Sequence, residues 1–173
     1  MVVNAFGISI TTFVGQNYGA QKYDRIKDGV RMGVILSILI HIPLSAIEIF
    51  GGKRIASLMV TDPPVLELCG QYLLIVGIFV FFLGFLMVFR NCIQGMGNTW
   101  IPMLSGGLEV FSRLIFGYWL GRHSFMGIAA AEASAWISVS IMLGSSFFIL
   151  FRKVLRTQTP EDTTDTKNIR TVS

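Results

Sequence analysis

Charge is what this sequence has least of. Only 14% of its 173 residues are Asp, Glu, Lys or Arg, where soluble domains run near ~25%. The scarcity is clustered: residues 1–21, 32–47, 68–89 and 133–151 contain none. Runs of that kind exclude an ordinary soluble domain and are the hydropathy mark of helices that cross a bilayer. Strict apolar–polar alternation is missing too, which argues against the strands of a membrane β-barrel. Cysteine is limited to Cys69 and Cys92. One predicted helix carries both, roughly 35 Å apart at 1.5 Å per residue, beyond disulfide reach. Neither has ligand-type neighbours, so both read as small apolar residues. The opening residues lack the basic n-region and cleavage site of a secretory signal peptide.

What is present is apolar: 53% hydrophobic residues and a mean hydropathy of +0.65. The fold class expected is all-α, a polytopic membrane bundle of about five transmembrane helices over residues 1–156. A disordered polar cytoplasmic tail is expected over residues 157–173. The net charge of +4 and pI near 9.3 fit basic cytoplasmic loops, with no nucleic acid implied.

Taken in order, Val2–Val14 runs through Gly15 to Gln21 into a mixed polar stretch, Lys22–Arg31, that reads as a bend between two spans. The second span, Met32 to about Phe50, holds His41 and Pro43, with Glu48 near its far end. Proline there kinks a helix and frees a carbonyl. Gly51, Gly52, Lys53 and Arg54 are expected to end that span. Asp62 or Thr61 then caps a third helix, with Pro63 and Pro64 suited to its first turn. That helix extends to about Met96, which sets Arg90 and Gln94 in an interface. Pro102 is expected to start the fourth span, Gly121–Ser124 to end it, and a fifth runs from Gly127 to Phe151.

The fourth segment, Ile101–Arg122, carries Glu109 and Arg113 near its middle. A helix of ~20 residues crosses the hydrocarbon layer, so both charges belong near the midplane. Left unpaired there, each costs ~2.5 kcal/mol or more. Spaced four apart with Glu first, they share a helix face and neutralise each other. They should therefore face protein or a water-filled path.

Loop charge sets orientation. Lys22, Arg25, Lys27, Arg31, Arg90, Arg152, Lys153 and Arg156 collect on one side, against Lys53, Arg54 and Arg122 on the other. The first side is expected to be cytoplasmic, with the C-terminus inside and Met1 outside. A chain opening in mid-apolar sequence on the outer face suggests a fragment with helices missing upstream.

Several short motifs line up along the chain. Gly15, Gln16, Asn17, Gly19, Ala20, Lys22 and Arg25 resemble the "GQN-x-GA-x-K-x-x-R" turn of MATE transporters, the multidrug and toxic compound extrusion family. Thr61, Asp62, Pro63 and Val65 follow its "T-x-D-P-x-V" region more loosely. Arg90, Gln94, Gly95, Gly97, Thr99, Pro102 and Met103 are similar to "R-x-x-x-Q-G-x-G-x-T-x-x-P-M". Gly106, Glu109 and Arg113 resemble "G-x-x-E-x-x-x-R". Gly127, Ile128, Ala131, Glu132, Ala135 and Trp136 resemble "G-I-x-x-A-E-P-x-A-W", with Ala133 where proline is usual.

The resemblance covers nearly everything before the tail. It implies the end of the eighth helix through the twelfth of a twelve-helix fold, a partial second lobe. It further implies an antiporter in the cell membrane that expels drug-like, often cationic compounds by alternating access, coupled to Na⁺ or H⁺, with no cofactor. Its partners would be the bilayer and the missing N-terminal lobe. The tenth-helix span of this sequence, Leu68–Phe89, has no acidic residue, so second-lobe coupling would fall to Glu109, Glu132 or His41, or would not occur.

Each candidate has two readings. Glu109 and Arg113 form either a relay or a helix-fixing pair, and neutralisation makes a poor cation ligand. Glu132 either reaches Arg113 or faces the outer interface. His41 either titrates or bonds a carbonyl freed by the kink, the latter favoured. Gln94 and Asn98 read as turn residues, and Gly15–Arg25 as a tight cytoplasmic elbow lacking the P-loop pattern. The rings of Phe79, Phe81, Phe82, Phe85 and Phe89 cover too much circumference to form one cavity wall. A lipid-linked oligosaccharide flippase and a non-transporting truncated membrane protein are the alternatives. An embedded enzyme is disfavoured, because His41 and His123 lie at different predicted depths.

Overall fold

The computed structural model describes residues 2–122 and 124–157, with side chains described for residues 5–122 and 124–156. His123 and the tail expected beyond Thr157 lie outside the described residues. The described residues form five helical rods: α1 Val2–Gly19, α2 Tyr23–Ala56, α3 Pro63–Gly95, α4 Trp100–Gly121 and α5 Phe125–Thr157. Among the described residues there is no strand. The all-α, five-helix arrangement expected from hydropathy is the one observed.

The turns follow from local chemistry. α1 ends at Gly19, and Gln21 takes φ +55° in the tight turn that follows. The Lys22 N–H donates to the Asn17 carbonyl at 2.9 Å. The polar stretch Lys22–Arg31 is therefore not a bend. Only residues 20–22 turn, and Tyr23–Arg31 already belongs to α2, with Asp24 favourably placed in its first turn. Asp62 has extended backbone at the N-cap of α3, with Pro63 and Pro64 behind it. Gly97, at φ +81°, supplies the left-handed residue that closes α3. Asn98 Oδ1 accepts from the Ile101 N–H at 3.2 Å, so α4 starts at Trp100 rather than Pro102. α5 runs unbroken through Ala133.

Gly51 and Gly52 do not end α2, contrary to the sequence expectation. Pro43 stands inside the helix, and the chain passes through a π-helical turn, Ile47–Gly51, before resuming as Gly52–Ala56. Water is scarce in lipid, so a broken helix would strand backbone groups. Widening one turn absorbs proline and glycine at lower cost.

α3 is the axis of the bundle. It packs against α1, α2 and α5, while α4 packs chiefly against α5. Lipid tails are as apolar as leucine, so close approach and inter-helix hydrogen bonds hold such helices together. Gly77 and Gly84 of α3 admit α2. A Cβ at Gly84 would lie 2.4 Å from Ser37 Oγ, and one at Gly77 would lie 3.1 Å from Glu48 Cβ. Ser45 Oγ donates to the Gly77 carbonyl, and Ser140 Oγ of α5 to the Phe82 carbonyl at 2.9 Å. Thr11 Oγ1 of α1 reaches Asn91 Oδ1 at 3.0 Å. Such bonds average about 0.6 kcal/mol each. Ile26, Leu86, Val88, Ile93, Trp136, Val139 and Leu143 fill the space between the rods.

The outer faces are apolar. Ile35, Leu39 and Ile42 of α2 are exposed, as are Phe111, Leu114, Ile115, Tyr118 and Trp119 of α4. Contiguous exposure of this kind belongs to a surface that meets lipid or another apolar surface. By length and composition, Tyr23–Ala56, Pro63–Gly95 and Phe125–Arg156 are long and apolar enough to cross a membrane.

Candidate functional site

Four charges meet where α3, α4 and α5 come together. Glu109 Oε1 accepts from Arg113 at 3.0 Å, the pairing expected from their i,i+4 spacing. Its other oxygen, Oε2, accepts from Arg90 of α3 at 2.9 Å. Arg113 also reaches Glu132 of α5 at 2.7 Å. The order is Arg90–Glu109–Arg113–Glu132, with signs alternating and a net charge of zero. Of the two readings of Glu132, the structure shows the one that joins it to Arg113.

The network grades from protected to open. The Glu109 side chain is 17% exposed, Arg90 23%, Glu132 26% and Arg113 42%. Arg90 Nε also donates to the buried Ser105 hydroxyl at 3.2 Å, and Ser105 Oγ donates to the Pro102 carbonyl at 2.7 Å. Glu109 is thus clamped by two guanidinium groups, each carboxylate oxygen accepting from one of them. The arrangement binds three helices to one another.

Arg90 is the member whose pairing the sequence left unstated: near the end of α3, which runs to Gly95, it reaches across to Glu109. The signal was available. Equal steps back and forward from the turn at residues 96–99 set Arg90 opposite Ser105, and a long arginine reaches one turn farther to Glu109.

His41 does not join this network. It is buried, and its Nδ1 lies 2.7 Å from the Ser37 carbonyl, so Nδ1 carries the hydrogen and donates. The carbonyl freed by Pro43 is that of Leu39, four residues back. The expected partner is therefore replaced by the carbonyl of Ser37, one turn before His41. Asn17 is buried and donates to the Phe13 carbonyl at 2.8 Å. Gly15 lies near the Gly95 carbonyl, where α1 crosses α3. Gln16, Gly19, Arg25 and Gln94 are exposed at that end, Pro102 is half-buried, and Trp136 is buried in the core. Among the described residues no cluster of three or more His, Cys, Asp or Glu could hold a metal.

Long apolar helices, lipid-ready outer faces and charges paired between them define a multi-pass α-helical membrane protein. The sequence model of the MatE family matches residues 1–119, and the chain belongs to that family. It is 28% identical over 152 residues to the probable multidrug resistance protein NorM of Thermotoga maritima, covering 85% of this chain and 32% of that protein. It is 26% identical over 168 residues to the protein of the same description from Aromatoleum aromaticum, covering 92% and 36%. An uncharacterized transporter of Saccharomyces cerevisiae is 25% identical over 158 residues, covering 87% and 22%. The chain thus spans about a third of the length of its bacterial relatives. No solved structure gives a significant match.

Proposed function

We propose that these helices are part of an efflux antiporter of the cell membrane. It would export drug-like, often cationic molecules by alternating access, driven by Na⁺ or H⁺. The observation that carries this reading is the neutral row Arg90–Glu109–Arg113–Glu132 inside a MatE-family helical bundle. Intramembrane charges demand a functional or structural reason, and a lobe that rocks as one body needs its helices bound together. The exposed apolar face of α4 would meet lipid or a complementary N-terminal lobe, with the C-terminus in the cytoplasm. The proposed division is a transmembrane bundle over residues 1–156 and a polar cytoplasmic tail over 157–173.

The flippase alternative needs free positive charge for a diphosphate headgroup. Arg90 and Arg113 are both matched by carboxylates, which favours drug efflux. The test is ethidium efflux from an efflux-deficient host that expresses the whole reading frame containing this sequence. Energised export that collapses with a proton or sodium ionophore is expected. Export no faster than in the empty host would overturn the reading.

A further inference from the structure

Among the described residues, Glu48 stands apart from the acids of the ion pairs. Asp24 pairs with Lys27, Glu67 with Lys53, and Glu109 and Glu132 with arginines. Asp28 and Asp62 are exposed, in the first turns of α2 and at the cap of α3. Glu48 Oε2, by contrast, is buried with no hydrogen-bond partner among the described residues. Glu48 lies in the π-helical turn of α2, about two turns inside that helix's end. Such turns recur at functional sites because they redirect side chains and loosen backbone bonds.

The surroundings are polar on one helix and apolar on the other. Ser45, one turn earlier, donates its hydroxyl to the Gly77 carbonyl and keeps lone pairs free. His41 lies one further turn back on the same helix. With Nδ1–H bonded to the Ser37 carbonyl, Nε2 is the acceptor of the neutral ring. His41, Ser45, Ile49 and Phe81 line a neighbouring groove of about 270 Å³, which Glu48 itself does not line. Across from it, α3 carries no ionisable side chain between Leu73 and Phe89. The nearest charged pair toward the helix end, Lys53 with Glu67, satisfies itself.

A bare carboxylate so placed is costly, and the cheapest relief is a proton. A sodium ion would need a cage of several oxygens, and Glu48 with Ser45 falls short of one. We propose that Glu48 is a proton-binding carboxyl of the transport cycle. Oε2 takes a proton from one aqueous side, and the proton leaves to the other as the transport cycle turns over. This inference rests on the antiport reading and gives it a site.

The experiment uses the complete protein in proteoliposomes. Ethidium counterflow, which needs no ion gradient, is measured beside ethidium accumulation driven by a pH gradient or a sodium gradient. Glu48→Gln mimics the protonated state. It should keep counterflow within about twofold while losing at least tenfold of pH-driven accumulation, and Glu48→Asp should restore most of it. Wild-type pH-driven accumulation in Glu48→Gln would overturn the proposal. So would loss of counterflow together with folded yield, or wild-type accumulation driven by sodium alone. Absence of counterflow in the wild type would instead sink the transport reading itself.

Discussion

Arg90 on α3 and Glu109 on α4 meet at 2.9 Å across the short turn at residues 96–99. That contact converts a local helix pair into a brace across three helices. Glu109 spans Arg90 and Arg113, and Arg113 in turn spans Glu109 and Glu132. Removing an end of the row should therefore cost less than removing Glu109.

Arg90→Met should destabilise the protein by about 1–3 kcal/mol, between the worth of an exposed pair and a buried one. Glu109→Leu alone should cost more, since it leaves Arg90 without its carboxylate. The double variant should recover part of the loss. A thermal unfolding series in detergent, read as a double-mutant cycle, measures the coupling. Strict additivity would show that the pair contributes nothing.

Glu109→Gln separates relay from brace. With both carboxylate oxygens held by arginines, the expected result is lower folded yield and unchanged ethidium export per folded molecule. Glu132→Gln should follow the same pattern more weakly, because Arg113 keeps Glu109. Normal yield with abolished export would identify Glu109 as a relay instead.

Glycine positions give a packing test. A Cβ at Gly95 would fall 2.7 Å from the Thr11 carbonyl oxygen, a backbone atom that cannot swing aside. Gly95→Ala should push α1 from α3 and cost about 1–3 kcal/mol. Gly144→Ala in α5 meets nothing within 4 Å and should be neutral or stabilising by up to about 1 kcal/mol. Melting temperatures of the two variants decide it, and equal shifts would contradict the packing of α1 on α3.

The 173-residue chain expressed by itself should give no ethidium resistance, if the transport cavity needs two lobes as proposed. Growth in ethidium beside the empty host measures this. Export against a gradient by these residues alone would refute the two-lobe cavity.

Some of this was legible in the residues, and some was not. Charge-free runs placed four of the helices and a long apolar stretch around Glu109 and Arg113 the other, since every backbone group in lipid must find its partner inside its own helix. Glu109 with Arg113 followed from the helical repeat, a relation within one element. Tyr23–Arg31 was misread because polarity was taken for a bend, although charged residues suit the first turns of a helix that emerges from a membrane. Gly51 and Gly52 were read as a stop, although the helix passes through them, Gly51 closing a π-turn and Gly52 resuming the α-helix.

By itself, then, the sequence determined an all-helical membrane chain of the MatE family with an acid and a base in mid-helix. Tertiary structure alone decided that Arg90 and Glu132 complete their pairing and that Glu48 Oε2 has no hydrogen-bond partner among the described residues. The physical reason is that spacing along one helix fixes which side chains share a face. Which faces then meet depends on where glycines such as Gly77, Gly84 and Gly95 let two backbones draw close, and no single helix carries that information.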